Sequence, residues 1–363
     1  MTTARKVYII GNNASNESVS DGGRIKIRLY SELIKKCSGQ VEIIDLCNWK
    51  KRILYLLHRI RKAVKENAII LIMAGPKGCR FIIPLVNKLN VNKTRVLFCP
   101  LGVGTLDKIF EKMNPEEISL FLNNEKYGSY EDSKMAKQLA KIDVIFPQNE
   151  LIANAYRKFY KLDNVVVVEN FRDVSIKSKK YNSSGKLNLV YASRICENKG
   201  IFDLLEAVVK INNKKTRVSL TVYGDIQLSR DDKKRFNSYL SDDIKYNGII
   251  NQANSIDVLK RYDLFVLPTK YHGEGTSGSL IESLIAGTPV LISSYSQAKL
   301  LIDDQRNGFI YEINNVSSLA EKIEYILNNR DCLKPVGLAA QELSKKYLFE
   351  NNKKIFLNTI YGK

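Results

Sequence analysis

The chain contains few of the residues from which metal and disulfide sites are built. Its 363 residues include two histidines, His58 and His272, and six cysteines, none of which forms a Cys-x-x-Cys pair or has a metal-binding spacing. Two histidines are too few for a histidine-built metal site, and unpaired cysteine spacing is typical of reduced, structural thiols. We therefore expect no bound metal and a cytoplasmic location.

Long apolar runs and one common cofactor motif are also absent. No stretch approaches the roughly 18 apolar residues of a membrane span, and the apolar part of MTTARKVYIIG is too short for a signal peptide. The segment VYIIG instead predicts the first strand of the fold. Gly11, Gly22 and Gly23 do not have the Gly-x-Gly-x-x-Gly spacing of Rossmann dehydrogenases, which argues against a nicotinamide cofactor.

Acidic residues are strongly outnumbered by basic ones. The sequence has 57 Lys and Arg against 38 Asp and Glu, which gives a formal net charge of +19. Such a charge indicates polyanionic partners, namely nucleic acid, anionic lipid or phosphorylated substrates, although a lysine-rich genomic bias explains part of it. The sequence has no aromatic-interleaved basic motif, zinc spacing or recognition signature, so we expect no nucleic-acid partner.

The order of apolar segments predicts an α/β protein with two domains, because the length exceeds the usual limit of a single core. In residues 1–174, apolar strand candidates alternate with helical patterns, which is typical of a doubly wound parallel sheet. These candidates span 7–10, 41–46, 68–74, 95–100, 143–146 and 165–168. A polar, turn-rich linker is predicted at 175–186, followed by a second αβ domain at 187–340 and a helical tail at 341–363.

Residues 263–293 form the stretch around which the second domain is organised. An apolar strand, Leu264–Leu267, leads into a glycine-rich loop and then into a helical pattern that Gly287 and Pro289 terminate. A loop that leads into a helix N-terminus in this way presents unpaired backbone N–H groups and a partial positive charge. This arrangement binds phosphate readily.

Two carboxylates in this stretch indicate a sugar or ribose ligand. Glu274 lies in the loop and Glu282 in the helix, eight positions later. Carboxylates accept hydrogen bonds from paired hydroxyl groups, which both sugars and ribose carry. The alternative is that both glutamates decorate a solvated helix start, where acidic residues are favoured. The neighbouring glycines count against that alternative, because each costs roughly 1 kcal/mol in a helix.

The complete pattern resembles a known signature. Gly273-Glu274-Gly275, then Glu282 after six further residues, and then Ala-Gly-Thr-Pro-Val at 286–290, is similar to the nucleotide-sugar signature of family 4 glycosyltransferases. These are retaining enzymes of the GT-B fold, here of the bacterial surface-polysaccharide type. The resemblance implies two Rossmann-like doubly wound domains facing across a cleft, with the tail crossing back to the first domain. It is strong over about 187–328 and only topological in the N-terminal half.

A second element adds to the resemblance. Ser193-Arg194 and Lys199-Gly200 resemble the Gly-Arg-Leu…Lys-Gly element of the family, with Ser193 in place of glycine and Ile195 in place of leucine. The resemblance implies that Arg194 and Lys199 neutralise the donor diphosphate through charge-assisted hydrogen bonds. The alternative is two solvated cations at a helix start, a position that the helix dipole disfavours.

Two glycine turns resemble further family features. Gly22-Gly23 resembles the glycine loop that approaches the donor from the opposite domain, and the resemblance implies that domain closure brings it towards the donor. Gly248, in the pair Asn247-Gly248, resembles the glycine whose backbone meets the nucleotide base. A Gly-Gly turn before a helix and an ordinary Asn-Gly turn are equally good explanations of the two pairs.

The resemblance implies transfer of a sugar from a UDP- or GDP-sugar to an acceptor hydroxyl, with retention of configuration. Glu282 would hold the ribose and Glu274 the transferred sugar, while Arg194, Lys199 and backbone amides stabilise the leaving diphosphate without a metal. These amides belong to Gly275, Thr276, Ser277, Gly278, Ser279 and Leu280. The expected acceptor is a glycan or a polyprenyl-diphosphate-linked saccharide in capsule, exopolysaccharide or lipopolysaccharide assembly.

One departure from the family and two alternatives stay open. Many relatives carry a histidine in the loop corresponding to 100–104, near the sugar, whereas this loop has none. The base-free, front-face mechanism is unaffected, but this loop lacks the histidine contact that would orient the sugar. His272 could substitute, although a surface or packing role suits it better. The main alternative function is a non-catalytic GT-B subunit that binds a glycan or a partner transferase, and a GT-B sugar epimerase is another.

The segment 48–65, NWKKRILYLLHRIRKAVK, predicts an amphipathic helix with a basic outer face. Its apolar residues recur at helical spacing, and Trp49 and Tyr55 are residue types that favour a membrane interface. The alternative is the solvated face of an ordinary αβ helix. We consider an anionic membrane surface as a partner through the residues from Lys50 to Lys65, which would place the protein peripherally at the inner face of the plasma membrane.

Overall fold

The computed structural model describes residues 5–12, 22–122, 132–182, 184–213, 215, 217–295 and 297–362. The chain divides into two compact units. The first unit contains the described residues up to Asn170 and those from Glu350 onwards, and the second unit is Phe171–Phe349. The sequence placed the corresponding boundaries after residues 174 and 340. Among the described helices, none is long and apolar enough to cross a membrane.

The first unit is built on a five-stranded parallel sheet of order β2-β1-β3-β4-β5. Its strands are β1 Val7–Gly11, β2 Val41–Asp45, β3 Ile69–Met73, β4 Val96–Phe98 and β5 Val144–Ile145. β1 and β3 are continuous apolar runs and are buried along their whole length, as parallel strands covered by helices on both faces must be. The helices before the unit boundary are α1 Gly22–Ser38, α2 Ile53–Lys65, α3 Pro76–Leu89, α4 Asp107–Phe110, α5 Pro115–Leu122, α6 Ser133–Leu139 and α7 Glu150–Phe159.

One predicted strand of the first unit is wrong. Residues 165–168 are not a regular strand: Val165 pairs with Ile145 in an isolated bridge, and Val166 N and Val168 N donate to Ile145 O at 2.9 Å and to Pro147 O at 3.0 Å. The neighbouring strand β5 is two residues long and is followed by Pro147, which has no N–H group to donate to a sheet. Pro147 accepts a hydrogen bond from Val168 N but cannot return one, so the pairing does not continue as a regular ladder.

The segment predicted as one basic amphipathic helix consists of a 3-10 turn, Trp49–Arg52, and then α2. Leu56, Ile60 and Val64 are buried on the inner face of α2. Trp49 is half-buried: its ring stacks on Phe81 at 3.9 Å between ring centroids and packs against the core of the first unit, and the interfacial role expected for it stays a prediction.

The second unit has a six-stranded parallel sheet of order β11-β10-β9-β6-β7-β8. Its strands are β6 Leu187–Ala192, β7 Val218–Tyr223, β8 Ile244–Tyr246, β9 Leu264–Leu267, β10 Val290–Ser293 and β11 Phe309–Tyr311. Its helices are α8 Ile201–Asn212, α9 Arg230–Ser238, α10 Ser255–Leu259, α11 Gly278–Ala286, α12 Ala298–Leu301, α13 Val316–Asn328 and α14 Leu333–Ser344. Alternate residues of its strands contribute to two apolar clusters: Leu189 and Val266 belong to one, and Val190 and Phe265 to the other. The predicted fold class, two doubly wound α/β domains, is confirmed.

Two segments belong to units that composition alone does not indicate. The polar segment 175–186 belongs to the second unit, where the hydroxyl of Tyr181 donates a hydrogen bond to Gly287 O at 3.0 Å. The last helix, α15 Phe349–Tyr361, belongs to the first unit from Glu350 onwards. There Phe356 packs edge-on against Tyr30, with ring centroids 4.7 Å apart.

The strand order of the second unit determines where a ligand would bind. From β6 the chain proceeds outwards through β7 and β8, and then returns to the other side of β6 as β9. The loops after β6 and β9 therefore diverge in opposite directions at the carboxyl edge of the sheet. In open α/β sheets, ligands bind at this topological switch point.

Candidate functional site

The two loops at the switch point are in backbone contact. Residues 193–200 follow β6 and residues 268–277 follow β9, and Lys270 N donates to Asn198 O at 2.8 Å. Gly200 has a φ of +71°, and a Cβ atom added there would lie 1.8 Å from Pro268 O. Only glycine fits both this conformation and this close approach. The Lys-Gly pair recognised in the sequence therefore fixes one loop against the other.

This contact brings Lys199 and Glu274 together as a buried ion pair. Lys199 is 5% exposed and Glu274 is 7% exposed, and the Lys199 ammonium donates to Glu274 Oε2. Thr269 Oγ1 donates to the same oxygen at 2.9 Å, and Lys199 Nζ lies 5.4 Å from the centroid of the Tyr271 ring. The charge of Lys199 is thus already neutralised, which the sequence could not show.

Arg194 differs from Lys199 in this respect. It is half-buried directly after β6, and its guanidinium makes no ion pair or hydrogen bond with any described residue. Its backbone is held in place, because Tyr191 donates its hydroxyl to Arg194 O at 2.6 Å. Burial raises the pKa of Tyr191 well above its usual value, so this hydroxyl stays protonated and remains a donor. Of the two predicted diphosphate ligands, Arg194 is the one with an uncompensated charge.

The helix that follows the glycine-rich loop begins at Gly278, so Gly275, Thr276 and Ser277 lie in the loop and Gly278, Ser279 and Leu280 in the first turn. Ser277 occupies the N-cap position, yet its hydroxyl does not cap the helix and instead lies 3.2 Å from the Ser279 hydroxyl. The first turn also contains no acidic residue. Its backbone N–H groups therefore have no side-chain acceptor within the helix start, which suits an anionic ligand.

Glu282 is held by two residues that the sequence analysis missed. It is 5% exposed, and its Oε1 accepts hydrogen bonds from Arg172 Nε at 2.7 Å and from Gln252 Nε2 at 2.8 Å. Arg172 lies at the start of the second unit and Gln252 in a 3-10 turn before α10. Neither belongs to a periodic pattern or a motif, so the sequence carried no signal for them.

The turn Asn247-Gly248 lies at the carboxyl end of β8, on the same edge of the sheet. Gly224 N donates to Gly248 O at 2.8 Å, and the Tyr246 hydroxyl donates to Gly224 O at 3.0 Å. These bonds connect the loops after β7 and β8. Contact between Gly248 and a nucleotide base stays a prediction.

The remaining predicted donor residues, Gly22 and Gly23, are the first two residues of α1 in the first unit. A Cβ atom added at Gly22 would meet nothing within 4 Å, so packing in the described chain does not require glycine there. Most of the polar loop predicted before them, residues 13–21, lies outside the described residues. Their approach to the donor stays a prediction.

The loop without the family histidine is held by a buried tyrosine. Thr105 N donates to the Tyr156 hydroxyl at 3.0 Å, and that hydroxyl donates to Val103 O at 3.3 Å. Burial raises the pKa of Tyr156 well above its usual value. The loop therefore has a fixed backbone, and Tyr156 acts there as a neutral hydrogen-bonding group.

Comparisons with known proteins agree with this geometry. Residues 173–343 match the profile of the family Glycosyl transferases group 1. A capsular polysaccharide biosynthesis glycosyltransferase, CapM, from Staphylococcus aureus is 27% identical over 48% of this chain and 46% of its own length. A poly(ribitol-phosphate) alpha-N-acetylglucosaminyltransferase from the same species is 22% identical over 74% of this chain and 55% of its own length. The chain spans about half the length of these relatives.

Solved structures show the fold. Sucrose-phosphate synthase from Thermosynechococcus elongatus aligns with a TM-score of 0.73 at 14% identity, over 99% of this chain and 100% of that chain. Anabaena HepE, solved with UDP and glucose, aligns with a TM-score of 0.70 at 12% identity, over 98% of this chain and 99% of that chain. The chain thus has the GT-B fold, and over residues 173–343 its second unit matches the family Glycosyl transferases group 1.

Proposed function

We propose that this protein is a retaining glycosyltransferase that moves a sugar from a nucleotide-sugar donor to an acceptor hydroxyl, without a metal ion. One observation carries the proposal: at the switch point of the second sheet, the uncompensated Arg194, the buried Lys199–Glu274 pair and the uncapped start of α11 share one edge. Cations and unpaired N–H groups at such an edge bind a diphosphate, and carboxylates beside them bind hydroxyl groups.

In this proposal the chain stabilises the leaving group and leaves proton transfer to the substrates. The bond between the anomeric carbon and the diphosphate oxygen breaks, and the acceptor oxygen bonds to that carbon on the same face. The acceptor proton passes to the departing phosphate oxygen, so no enzymic base is needed. Negative charge develops on the diphosphate, where Arg194 and the N–H groups of Gly278 and Ser279 stabilise it electrostatically.

The two carboxylates have separate roles in the proposal. Glu274 accepts hydrogen bonds from hydroxyl groups of the transferred sugar, and the ion pair with Lys199 holds this buried carboxylate in place. Glu282 accepts hydrogen bonds from the ribose. The donor is a UDP- or GDP-sugar, and Arg194 with the α11 start supplies the positive charge that a metal ion would otherwise provide.

We also propose that the acceptor is a glycan or a polyprenyl-diphosphate-linked saccharide of surface-polysaccharide assembly. The names of two relatives refer to capsular polysaccharide and poly(ribitol-phosphate), and the net charge of +19 suits an anionic acceptor or an anionic membrane that presents it. The outer face of α2, together with Lys50 and Lys51, supports binding at the inner face of the plasma membrane.

The test of the proposed function begins with donor binding. Thermal unfolding is measured with UDP-, GDP-, ADP- and CMP-sugars, because a ligand at about 100 times its Kd stabilises the folded state by roughly 2.7 kcal/mol. The donor so identified is then used in transfer and hydrolysis assays, and proton NMR gives the configuration of the product. We expect retention, and a rate that EDTA leaves unchanged. An inverted product or complete loss with EDTA would contradict the corresponding part of the proposal.

Two variants connect the activity to the site. We expect Lys199→Ala and Glu282→Ala to abolish transfer, because the first removes the partner that positions Glu274 and the second removes the carboxylate proposed to bind the ribose. The matched control is Lys186→Ala, which removes an exposed lysine paired with Asp243 at 2.8 Å in the same unit. Wild-type turnover in either site variant would refute the assignment. A donor that binds without transfer or hydrolysis would support the non-catalytic subunit instead.

A further inference from the structure

Arg172 and Glu282 form a second buried ion pair, of which the proposed chemistry has used only the carboxylate. Both side chains are about 7% exposed, and Arg172 Nε lies 2.7 Å from Glu282 Oε1. Gln252 Nε2 donates to the same oxygen at 2.8 Å. A carboxylate oxygen has two lone pairs, so the two donors together occupy Oε1 and fix the plane of the carboxylate. Within the described chain, Oε2 accepts no hydrogen bond.

The position of Arg172 is strictly fixed. Its backbone N–H donates to Tyr347 O and its carbonyl accepts from Phe349 N, each at 2.8 Å, and its Nη1 donates to Phe171 O at 3.0 Å. A Cβ atom added at Gly278 would lie 2.3 Å from Arg172 Nη2. The glycine at the start of α11 therefore leaves room for this guanidinium beside the helix N-terminus.

Stability alone does not account for this pair. A cation beside a helix N-terminus is unfavourable, because that end carries a partial positive charge. Burying two charges is also costly, and apolar residues of similar volume often serve stability as well or better. What the pair does achieve is a carboxylate in one fixed orientation, at the edge of the sheet where the nucleotide is proposed to bind.

We propose that Arg172 is a positioning residue for the nucleotide ribose: with Gln252 it occupies Glu282 Oε1, so that Oε2 is presented to the ribose hydroxyl groups. The inference rests on the proposed function. It assigns ribose discrimination to a residue outside the glycine-rich signature, 110 positions before the carboxylate that it orients.

The test compares ribonucleotides with their 2′-deoxy analogues. Calorimetry gives the Kd of UDP, GDP, ADP and CMP and of each 2′-deoxy counterpart. A hydrogen bond to a charged group corresponds to about a tenfold or larger preference for the ribonucleotide in the wild type. We expect Arg172→Gln to reduce this preference to about twofold or less, and Arg172→Lys to restore part of it. An unchanged preference in Arg172→Gln would overturn the inference.

A matched control separates positioning from stability. Arg330 and Asp263 form another buried pair of the second unit, with Arg330 Nη2 3.3 Å from Asp263 Oδ2, but Asp263 precedes β9 at the amino edge of the sheet. We expect Arg330→Gln to lower the unfolding temperature as Arg172→Gln does, while the ribose preference stays at the wild-type value. An equal loss of ribose preference in both variants would indicate general destabilisation of the second unit and would overturn the inference.

A third variant keeps the test decisive if Arg172→Gln does not fold. Gly278→Ala retains every charge, and its Cβ displaces the Arg172 guanidinium. We expect a lowered ribose preference, and an unchanged preference would overturn the inference. If the wild type binds no nucleotide, the proposed function fails with it. If the wild type binds without ribose preference, the assignment of Glu282 and Arg172 fails while the transferase proposal stands.

Discussion

At the scale of single residues, the Lys199–Glu274 pair combines a structural and a functional role. Both side chains are buried, and Thr269 adds a neutral hydrogen bond to the same carboxylate oxygen. Removing one partner would leave the other charge buried without compensation. Such a loss is costly even where the intact pair contributes little net stability. Loss of activity in a single variant of this pair therefore has to be compared with the free energy of unfolding of the same variant.

We predict that a double variant separates the two roles. Lys199→Met and Glu274→Leu should each lower the free energy of unfolding by about 3–5 kcal/mol, whereas the double variant should recover most of that loss. Transfer should be absent in all three variants. Without Glu274 the sugar has no carboxylate to bind it, and without Lys199 the carboxylate is no longer held in its orientation. Urea unfolding and the transfer assay measure the two effects. A double variant that transfers sugar at the wild-type rate would refute the catalytic assignment.

The residues of the site were predictable to different degrees. Glu274, Glu282, Arg194 and Lys199 carry a local pattern, and the structure places all four at the carboxyl edge of one sheet. The ion-pair partners of Lys199 and Glu282 were not predictable. Lys199 is neutralised by a residue 75 positions away and Glu282 by one 110 positions away, and contacts between separate loops leave no periodic signal.

At the scale of elements, the segment 175–186 illustrates the limit of composition. Its polar, turn-rich sequence is typical of a linker, yet it is tied to the second unit by Tyr181 and by Lys179. Lys179 Nζ donates to Lys260 O and to Tyr262 O, each at 2.6 Å. The sequence shows that this segment is polar. It does not show that backbone carbonyl groups of a neighbouring loop accept the hydrogen bonds of its side chains.

The burial of Lys179 leads to a prediction for the pH dependence of stability. Burial lowers the pKa of Lys179 to about 8, an effect that Asp263 partly offsets and Lys260 reinforces. Between pH 8 and the unfolded value of about 10.4, the unfolded chain holds a proton that the folded chain has lost. Stability must therefore rise with pH in this window. We expect the wild type to gain stability relative to Lys179→Met between pH 7 and 9.5, as measured by urea unfolding.

The upper limit of that window avoids a competing titration. Burial raises the pKa of Tyr181 to about 12, and this contribution lowers stability only above the usual tyrosine value of about 10. Lys186→Met serves as the control, because Lys186 is an exposed lysine of the same segment. A constant difference between wild type and Lys179→Met across the window would contradict the depressed pKa.

At the scale of the whole molecule, the alternation of apolar runs and helical patterns was enough to predict two doubly wound units. The residues at which the chain passes from one unit to the other were harder to predict. They are Asn170 and Glu350, whereas the sequence indicated 174 and 341. They depend on how the chain ends pack. Arg172 and Leu348 form an isolated parallel bridge, and Arg95 of the first unit binds Thr359 O at 3.0 Å. Neither contact follows from composition.

The net charge of +19 is also a property of the whole molecule, and α2 concentrates part of it. Leu54 is 79% exposed and Tyr55 is 39% exposed on the outer face of this helix. Arg59 pairs with Glu42 and Lys62 with Glu66, so these two cations are partly neutralised. The cations on this face that make no ion pair with described residues are Lys50, Lys51, Arg61 and Lys65.

We predict that this face binds anionic vesicles in a salt-sensitive manner. Each cation near such a surface contributes about 1 kcal/mol, so replacing Lys50, Lys51, Arg61 and Lys65 by Gln should weaken binding by up to about a thousandfold at low salt. The control replaces four exposed lysines of the second unit by Gln, which changes the net charge equally: Lys210, Lys233, Lys245 and Lys334. Cosedimentation with phosphatidylglycerol and phosphatidylcholine vesicles measures both. Binding that is equally weak to both lipids, or equally reduced in both variants, would refute docking through α2 and leave the transferase proposal intact.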